Sequence, residues 1–363
     1  MKHWFSHEQD LPLGIDVLAL GHPVDLGHFE RVTHVMQSRV AARGRPPLDR
    51  LATGSVPAEL EAELAALRGS VPTLVARVLE RGIRGAYRFL GTTDARVVVL
   101  FDEAVCETAL MSIALRHLGK TSVSMAHATH IEESYQHSAF EVALIYGPSS
   151  RETGERPTAL RYGRTVEVGA PSFDRFTAPI APVRTPVRHI LYLAINAVRG
   201  RERDYEQTAN AIRTLAEARP ELKLTIKEHP IAVNELNRTM ADLPNVTIVQ
   251  KGDLLELMDQ HDLCISVDYC NTLLETVLRR RPHVWLNTSP HSDFYRAVEY
   301  GYSIEARDGD QLLHAIDAWD RRGGVVDEPA ANRIIDWHLA HLGGAAEEAA
   351  KVLDELAARA GEL

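Results

Sequence analysis

The chain has few cysteines and no long apolar run. Three cysteines occur among 363 residues, without a Cys-x-x-Cys spacing. This count does not indicate a disulfide-stabilised secreted fold, and we expect a reducing, cytoplasmic compartment. No apolar run approaches the roughly 20 residues that span a bilayer. Residues 1–8 also lack the apolar segment of a signal peptide.

Several motifs of metal and cofactor chemistry are absent too. The 17 histidines include no His-Glu-x-x-His, and the cysteines form no zinc pair, so we predict no bound metal and no cofactor. There is neither a Walker A motif nor a Gly-x-Gly-x-x-Gly. The formal net charge of −10 argues against nucleic acid as a partner. It is still compatible with peripheral docking to a membrane through a local basic patch.

Short apolar runs do alternate with helical patterns along most of the chain. Strands are predicted at residues 14–21, 96–101, 121–126, 139–146 and 165–171, and then at 189–196, 222–227, 246–249, 263–266 and 283–286. Strands that alternate with helices form largely parallel sheets, so an α/β fold is predicted.

Proline divides the chain into two predicted domains. Three prolines mark residues 179–188 as a linker. An N-terminal domain, residues 1–178, precedes the linker. A C-terminal domain, residues 189–363, follows it and ends in three predicted closing helices.

Two apolar runs of the C-terminal domain end in polar groups. Lys227, Glu228, His229 and Pro230 close the run 222–227, and Asp268 follows the run 263–266. Ligands bind at the carboxyl edge of open parallel sheets. Pro230 disfavours helix for His229, so the strand ends abruptly and presents an imidazole that can donate to a phosphate. The alternative is a His-Pro turn on a surface loop.

A predicted helix start follows the second run. Asn271 or Thr272 is a suitable N-cap, and a helix N-terminus offers free N–H groups to a phosphate. Glu275, one turn later, is placed to accept from ribose hydroxyls, and Lys227 adds a positive charge. The alternative is an ordinary capped helix. The two strand ends together favour a nucleotide site.

This pattern resembles the C-terminal domain of the CDP-glycerol glycerophosphotransferases. It is also similar to GT-B glycosyltransferases of bacterial surface polysaccharides, including those with CMP-sialic acid or CMP-Kdo donors. The matching residues are Lys227, His229, Pro230, Asp268, Tyr269 and Glu275. Cys270-Asn271 stands where the family has a Ser-Ser pair, although Asn271 can still donate through its amide. The resemblance implies two Rossmann-like domains whose parallel sheets face a central cleft.

The resemblance extends to the N-terminal domain and implies a catalytic base there. His127 stands where the family has a His-Gly pair after a strand, and an imidazole can take the acceptor hydroxyl's proton at neutral pH. Asp102 and Glu103 resemble the acidic motif that supplies the carboxylate base of bacterial sialyltransferases. The two candidates compete for one role. A structural histidine and a helix cap are the alternatives.

Three further segments carry weaker signals. Asn196 and Arg199 lie in a loop that usually faces the donor pyrophosphate in GT-B enzymes, with a solvated basic loop as the alternative. Residues 168–174 resemble a Val-Gly-x-Pro-x-x-Asp segment shared with UDP-GlcNAc 2-epimerases, and this segment is interpreted as architectural. Residues 71–90 form a basic amphipathic helix, either for an anionic acceptor or membrane or simply packed on the core.

The sequence therefore predicts a GT-B transferase of the cell envelope or capsule. It would move a sugar or glycerol phosphate from a CMP-, CDP- or UDP-activated donor to a surface glycan or a lipid-linked precursor. The expected location is cytoplasmic, compatible with the inner face of the cell membrane. A UDP-GlcNAc 2-epimerase-like enzyme and a non-catalytic scaffold of polysaccharide assembly are the alternatives.

Overall fold

The structure is a computed structural model, and it describes residues 17–20, 55–70, 73–101, 106–126, 140–154, 163–178, 180–194, 202–229, 235–267, 270–289 and 291–361. Contacts within the chain divide it into two units: Met1–Ser172 with Leu339–Leu363, and Phe173–His338. Each unit contains one sheet, and all described strand pairs are parallel. The predicted α/β class is confirmed.

The first unit has a five-stranded sheet in the order β1-β2-β3-β4-β5. Its strands are β1 (Val17–Leu20), β2 (Val97–Phe101), β3 (Thr121–Met125), β4 (Val142–Ile145) and β5 (Arg164–Glu167). The helices described between them are α1 (Ala58–Ser70), α2 (Thr73–Gly91), α3 (Cys106–His117) and α4 (Pro148–Gly154). A 3-10 helix, Pro171–Thr177, leads into the second unit. Gly119 follows the end of α3 and has a positive φ of 64°, a conformation in which glycine commonly ends a helix.

The second unit has a six-stranded sheet in the order β11-β10-β9-β6-β7-β8. Its strands are β6 (His189–Leu193), β7 (Lys223–Lys227), β8 (Val246–Val249), β9 (Leu263–Val267), β10 (His283–Leu286) and β11 (Ser303–Ala306). Its helices are α5 (Glu202–Ala218), α6 (Glu235–Arg238), α7 (Leu254–Gln260), α8 (Thr272–Leu278), α9 (Gly309–Arg321) and α10 (Glu328–His338). The last helix, α11 (Ala345–Gly361), belongs to the first unit.

The strand order of the first sheet explains why α11 returns to it. Since the strands follow chain order, right-handed crossovers place their helices on one face of the sheet. On that face Val98 and Leu100 pack against Leu90 and Leu115 of α2 and α3. Val97 and Val99 point to the other face, where Val352, Leu353 and Leu356 of α11 cover them. A parallel sheet needs both faces covered, and α11 supplies the second cover.

The sequence-based boundaries differ from this division at two places. Helix α11 was assigned to the C-terminal domain, whereas it packs on the first sheet. Residues 180–188 were assigned to the linker, whereas they lie in the second unit. There Val187 is buried, its N–H donates to Asp320 Oδ1 at 2.7 Å, and Arg184 Nε donates to Asp262 Oδ1 at 2.9 Å.

The second sheet is apolar on one face and carries a polar link on the other. Ile190, Ile226 and Ile265 pack on the apolar face against helices that include α5 and α9. On the other face the imidazole of His283 lies between the hydroxyls of Ser266 (2.9 Å) and Ser303 (2.7 Å). Burial lowers the pKa of His283 to about 3, so the ring is neutral. This link joins the side chains of β9, β10 and β11.

Candidate functional site

The order in which the chain adds strands to the second sheet reverses between β6 and β9. The chain passes from β6 to β7 and β8 on one side, and then crosses back to β9, β10 and β11 on the other. Neighbouring strands that lead apart in this way leave a crevice at their carboxyl ends, where open α/β sheets bind ligands. Strands lie about 4.8 Å apart, so the ends of β7 and β9 are separated by roughly 10 Å. The two predicted polar strand ends therefore lie at one edge, either side of β6.

Lys227, the last residue of β7, has a structural role that its sequence did not reveal. Its Nζ donates to the carbonyl oxygens of Glu228 (2.7 Å) and Gln250 (3.0 Å), which ties the end of β7 to the end of β8. Burial lowers the pKa of Lys227, and the nearby charge of Glu228 opposes this shift. Two of its three donors are thus used by the fold.

His229 follows at the same edge and is part-buried. Burial lowers the pKa of its imidazole, and the charge of Lys227 lowers it further. The ring is therefore neutral at pH 7, with one nitrogen that donates and one that accepts. Such a ring can donate to a phosphate oxygen without carrying a fixed charge.

The start of α8 lies where the sequence placed it, but its side chains behave differently. Helix α8 begins at Thr272, with Asn271 in the N-cap position, and the Asn271 side chain makes no capping bond. The φ of −56° and ψ of −20° at Asn271 are helical, whereas a capping residue is usually extended. Its Oδ1 instead accepts from the hydroxyl of Tyr295 at 3.2 Å.

Glu275, one turn into α8, has an unusual carboxyl group. Its pKa is raised to about 8, chiefly because the carboxyl is desolvated. Arg175 lowers the pKa and Asp253 raises it, and these two residues form an ion pair at 2.6 Å. At pH 7 the group is mostly protonated, so it can donate as well as accept a hydrogen bond from a ligand hydroxyl.

Three buried polar atoms at this edge have no hydrogen-bond partner among the described residues. They are Glu228 Oε1 after β7, Thr272 Oγ1 after β9 and Ser289 Oγ after β10. Leaving such an atom unpaired costs about 1–3 kcal/mol, and folded proteins contain few of them. All three atoms lie after the carboxyl ends of strands in the second sheet. Sequence reasoning gave no role to Glu228, which lies between the matching residues Lys227 and His229, and it missed Ser289, which stands in no recognisable motif.

Other predicted site residues lie outside the described part of the chain. They are Asp102, Glu103, His127, Pro230, Asn196, Arg199 and Asp268. Their proposed roles stay predictions. Among the described residues, no group of three His, Cys, Asp or Glu side chains is placed to hold a metal ion. No helix in the described ranges is long and apolar enough to cross a membrane.

The basic helix of the first unit packs on the core. Ile83, Ala86 and Leu90 of α2 are buried. Arg84 donates to Glu61 Oε2 at 2.5 Å and to Glu80 Oε1 at 2.9 Å, so part of the basic face is neutralised inside the fold. Arg77 and Arg81 are exposed. The arrangement is that of a core-facing helix with a solvated face.

Comparison with known proteins gives the fold. No family profile matches the chain, and no curated protein matches it in sequence. A putative UDP-N-acetylglucosamine 2-epimerase from Listeria monocytogenes is similar in structure, with a TM-score of 0.55 and 12% identity over 96% of this chain and 97% of that one. The calicheamicin glycosyltransferase CalG4 has a TM-score of 0.52 and 14% identity over 94% and 98%.

The chain has a GT-B-like fold. A third similar structure is the UDP-GlcNAc 2-epimerase of Neisseria meningitidis bound to UDP-GlcNAc, with a TM-score of 0.54 and 13% identity over 77% of this chain and 81% of that one. Glycosyltransferases and 2-epimerases thus share the fold with this chain, as the sequence resemblance implied. At these identities the likeness extends to the fold alone.

Proposed function

We propose that this chain is a nucleotide-sugar-dependent transferase acting on a bacterial surface glycan or its lipid-linked precursor. The observation that carries the proposal is the carboxyl edge of the second sheet. A neutral imidazole (His229), a mostly protonated carboxyl group (Glu275) and three buried polar atoms that have no hydrogen-bond partner among the described residues lie at this edge, on either side of β6. Hydroxyls and phosphates are the ligand groups that such a set of donors and acceptors binds.

The chemistry follows from these groups. His229 donates to the phosphate of the donor and stabilises the charge that develops as the nucleotide leaves. Asn271 donates through its amide, and Glu275 exchanges hydrogen bonds with ribose hydroxyls. The acceptor hydroxyl attacks the anomeric carbon, the bond to the nucleotide phosphate breaks, and a base takes the hydroxyl proton. His127 and Glu103 are the two candidates for that base.

A nucleotide titration tests this proposal. We expect one of CMP, CDP and UDP to bind the wild-type protein in calorimetry, and His229→Ala to weaken that binding at least tenfold, since a hydrogen bond to a charged group contributes about 1.5–3 kcal/mol. His314→Ala is the matched control, because His314 is an exposed histidine of α9. If none of the three nucleotides binds at millimolar concentration, the proposal is wrong.

A UDP-GlcNAc 2-epimerase-like activity is the second candidate. It is favoured by the similarity in fold to the two epimerases, at TM-scores of 0.55 and 0.54. Such an enzyme needs no acceptor, so incubation with UDP-GlcNAc alone separates the two functions. Appearance of the ManNAc epimer without an acceptor would establish the epimerase and reject the transferase.

Cys270 provides a chemical probe of the same site. It is part-buried at the end of β9, next to Asn271. Cys264 is buried, and burial raises the pKa of its thiol to about 12, so it should not react. In a Cys106→Ser background, iodoacetamide should modify Cys270, and the bound nucleotide should slow this modification several-fold. Equal labelling rates with and without nucleotide, measured by mass spectrometry, would place the nucleotide elsewhere.

A further inference from the structure

The turn after β10 is held on both sides of Ser289. The carboxamide of Asn287 donates to Glu305 Oε1 of β11 at 2.8 Å and to His291 O at 3.1 Å, and it accepts from the His291 N–H at 3.2 Å. The hydroxyl of Thr288 lies 2.8 Å from a threonine hydroxyl of α5. The backbone on either side of Ser289 is therefore fixed to β11 and to α5.

Ser289 differs from its neighbours in this turn. The residue is 9% exposed, and its hydroxyl has no hydrogen-bond partner among the described residues. A serine hydroxyl both donates and accepts, so another hydroxyl can pair with it in either direction. β10 ends level with its neighbour β9, because Leu286 stands opposite Val267. Ser289 and the start of α8 thus follow neighbouring strand ends.

Glu275 shows which side of α8 a bound nucleoside would occupy. Glu275 and Arg279 are one turn apart and share a face of α8. Arg279 donates to Asp259 of α7, and the charge of Asp253, the N-cap of α7, raises the pKa of Glu275. α7 connects β8 to β9, and β6, β7 and β8 all lie on one side of β9, whereas β10 lies on the other. A ribose at Glu275 is therefore on the side away from β10.

The remaining part of a nucleotide-activated donor then extends towards β10. The nucleoside and the transferred group are attached to opposite ends of the phosphate or pyrophosphate, so a nucleoside on the α7 side directs the transferred group to the side of Ser289. We propose that Ser289 is a specificity-determining residue, whose hydroxyl binds a hydroxyl of the transferred sugar or glycerol group. This proposal rests on the proposed function and assigns a contact to the part of the donor that the bare nucleotide lacks.

Calorimetry with donors and with their bare nucleotides tests the proposal. The donors are UDP-GlcNAc, UDP-glucose, CDP-glycerol and CMP-sialic acid, and the nucleotides are UDP, CDP and CMP. For the donor that the wild type binds most tightly, we expect Ser289→Ala to lower affinity about fivefold, the usual effect of one hydrogen bond. Affinity for the corresponding nucleotide should stay unchanged.

The stability of the ligand-free protein gives a second readout. Ser289→Ala removes a buried hydroxyl that no described residue pairs with, so its melting temperature should equal that of the wild type or exceed it. Ser303→Ala is the matched control, because the Ser303 hydroxyl lies in the same sheet, 2.7 Å from His283 Nδ1. This control should melt at a lower temperature and bind the donor as the wild type does.

The outcomes separate this proposal from the proposed function. Unchanged donor affinity in Ser289→Ala, an equal loss for donor and nucleotide, or a melting temperature lowered as in Ser303→Ala would each overturn the role of Ser289 and leave the nucleotide site standing. A wild type that binds a nucleotide but none of the four donors would do the same, because the subsite is assigned to hydroxyl-bearing groups. If neither nucleotides nor donors bind, both proposals fail together.

Discussion

Replacing Arg279 by alanine should lower the free energy of unfolding of the second unit by about 3–5 kcal/mol, the usual loss when one partner of a buried ion pair is removed. The guanidinium group of Arg279 is fully buried. It donates to both carboxylate oxygens of Asp259 at 2.7 Å and to Ala178 O at 2.7 Å. The side chain thus ties the segment that enters the second unit to α7 and α8.

Two variants show whether the burial of Arg279 and the planar geometry of its guanidinium group cause this loss of stability. Arg279→Lys keeps the charge but not the planar fork, so we expect an intermediate loss. Arg307→Ala removes an arginine that is 65% exposed and paired with Glu305, so its effect should stay below about 1 kcal/mol. Three of the four tryptophans, Trp285, Trp319 and Trp337, lie in the second unit. Their fluorescence during urea unfolding is therefore a suitable measurement. Equal losses of unfolding free energy in Arg279→Ala and Arg279→Lys would contradict a role for the planar guanidinium group.

The pattern of the sequence was sufficient where a short, mostly apolar run is bounded by polar residues or turn residues. β8 and β10 were predicted to the residue, and β9 to within one residue. β11 was missed because it has four residues, of which Ser303 and Glu305 are polar. It becomes a strand by pairing with β10, where Ser303 stands opposite His283. Such pairing depends on tertiary contact, and periodicity alone does not contain it.

In the candidate site, too, the local sequence predicts where the backbone elements begin and end but not the contacts of the side chains. A strand that ends at His-Pro and a helix that starts near Asn271 are local features, so the sequence placed both at one sheet edge. The contacts that set their chemistry are distant in sequence. Lys227 Nζ reaches Gln250 O, 23 residues away, and Tyr295 reaches Asn271, 24 residues away. Nothing local in the chain specifies either partner.

Glu275 should make the stability of the second unit depend on pH. Its pKa is about 8 in the folded protein and 4.5 for an ordinary glutamate. Between these values the unfolded chain releases the proton and the folded chain keeps it, so stability falls as pH rises from about 4.5 to 8. Glu275→Gln has no proton to release. The free energy of unfolding of Glu275→Gln, relative to wild type, should therefore rise by roughly 3 kcal/mol between pH 5 and pH 8. The rise should be somewhat smaller if solvent screens the carboxyl, because Glu275 keeps part of its surface in solvent.

Urea unfolding of both proteins across this pH range measures the difference. Glu256→Gln, which replaces an exposed acid of α7, is the matched control and should give a curve parallel to wild type. Arg175→Gln supplies an independent check. Because the positive charge of Arg175 lowers the pKa of Glu275, its removal should raise that pKa and extend the fall in stability to higher pH. A constant difference between Glu275→Gln and wild type from pH 5 to pH 8 would mean that the carboxyl ionises normally. Glu275 would then be ionised at neutral pH and could accept a hydrogen bond from a ligand hydroxyl but not donate one.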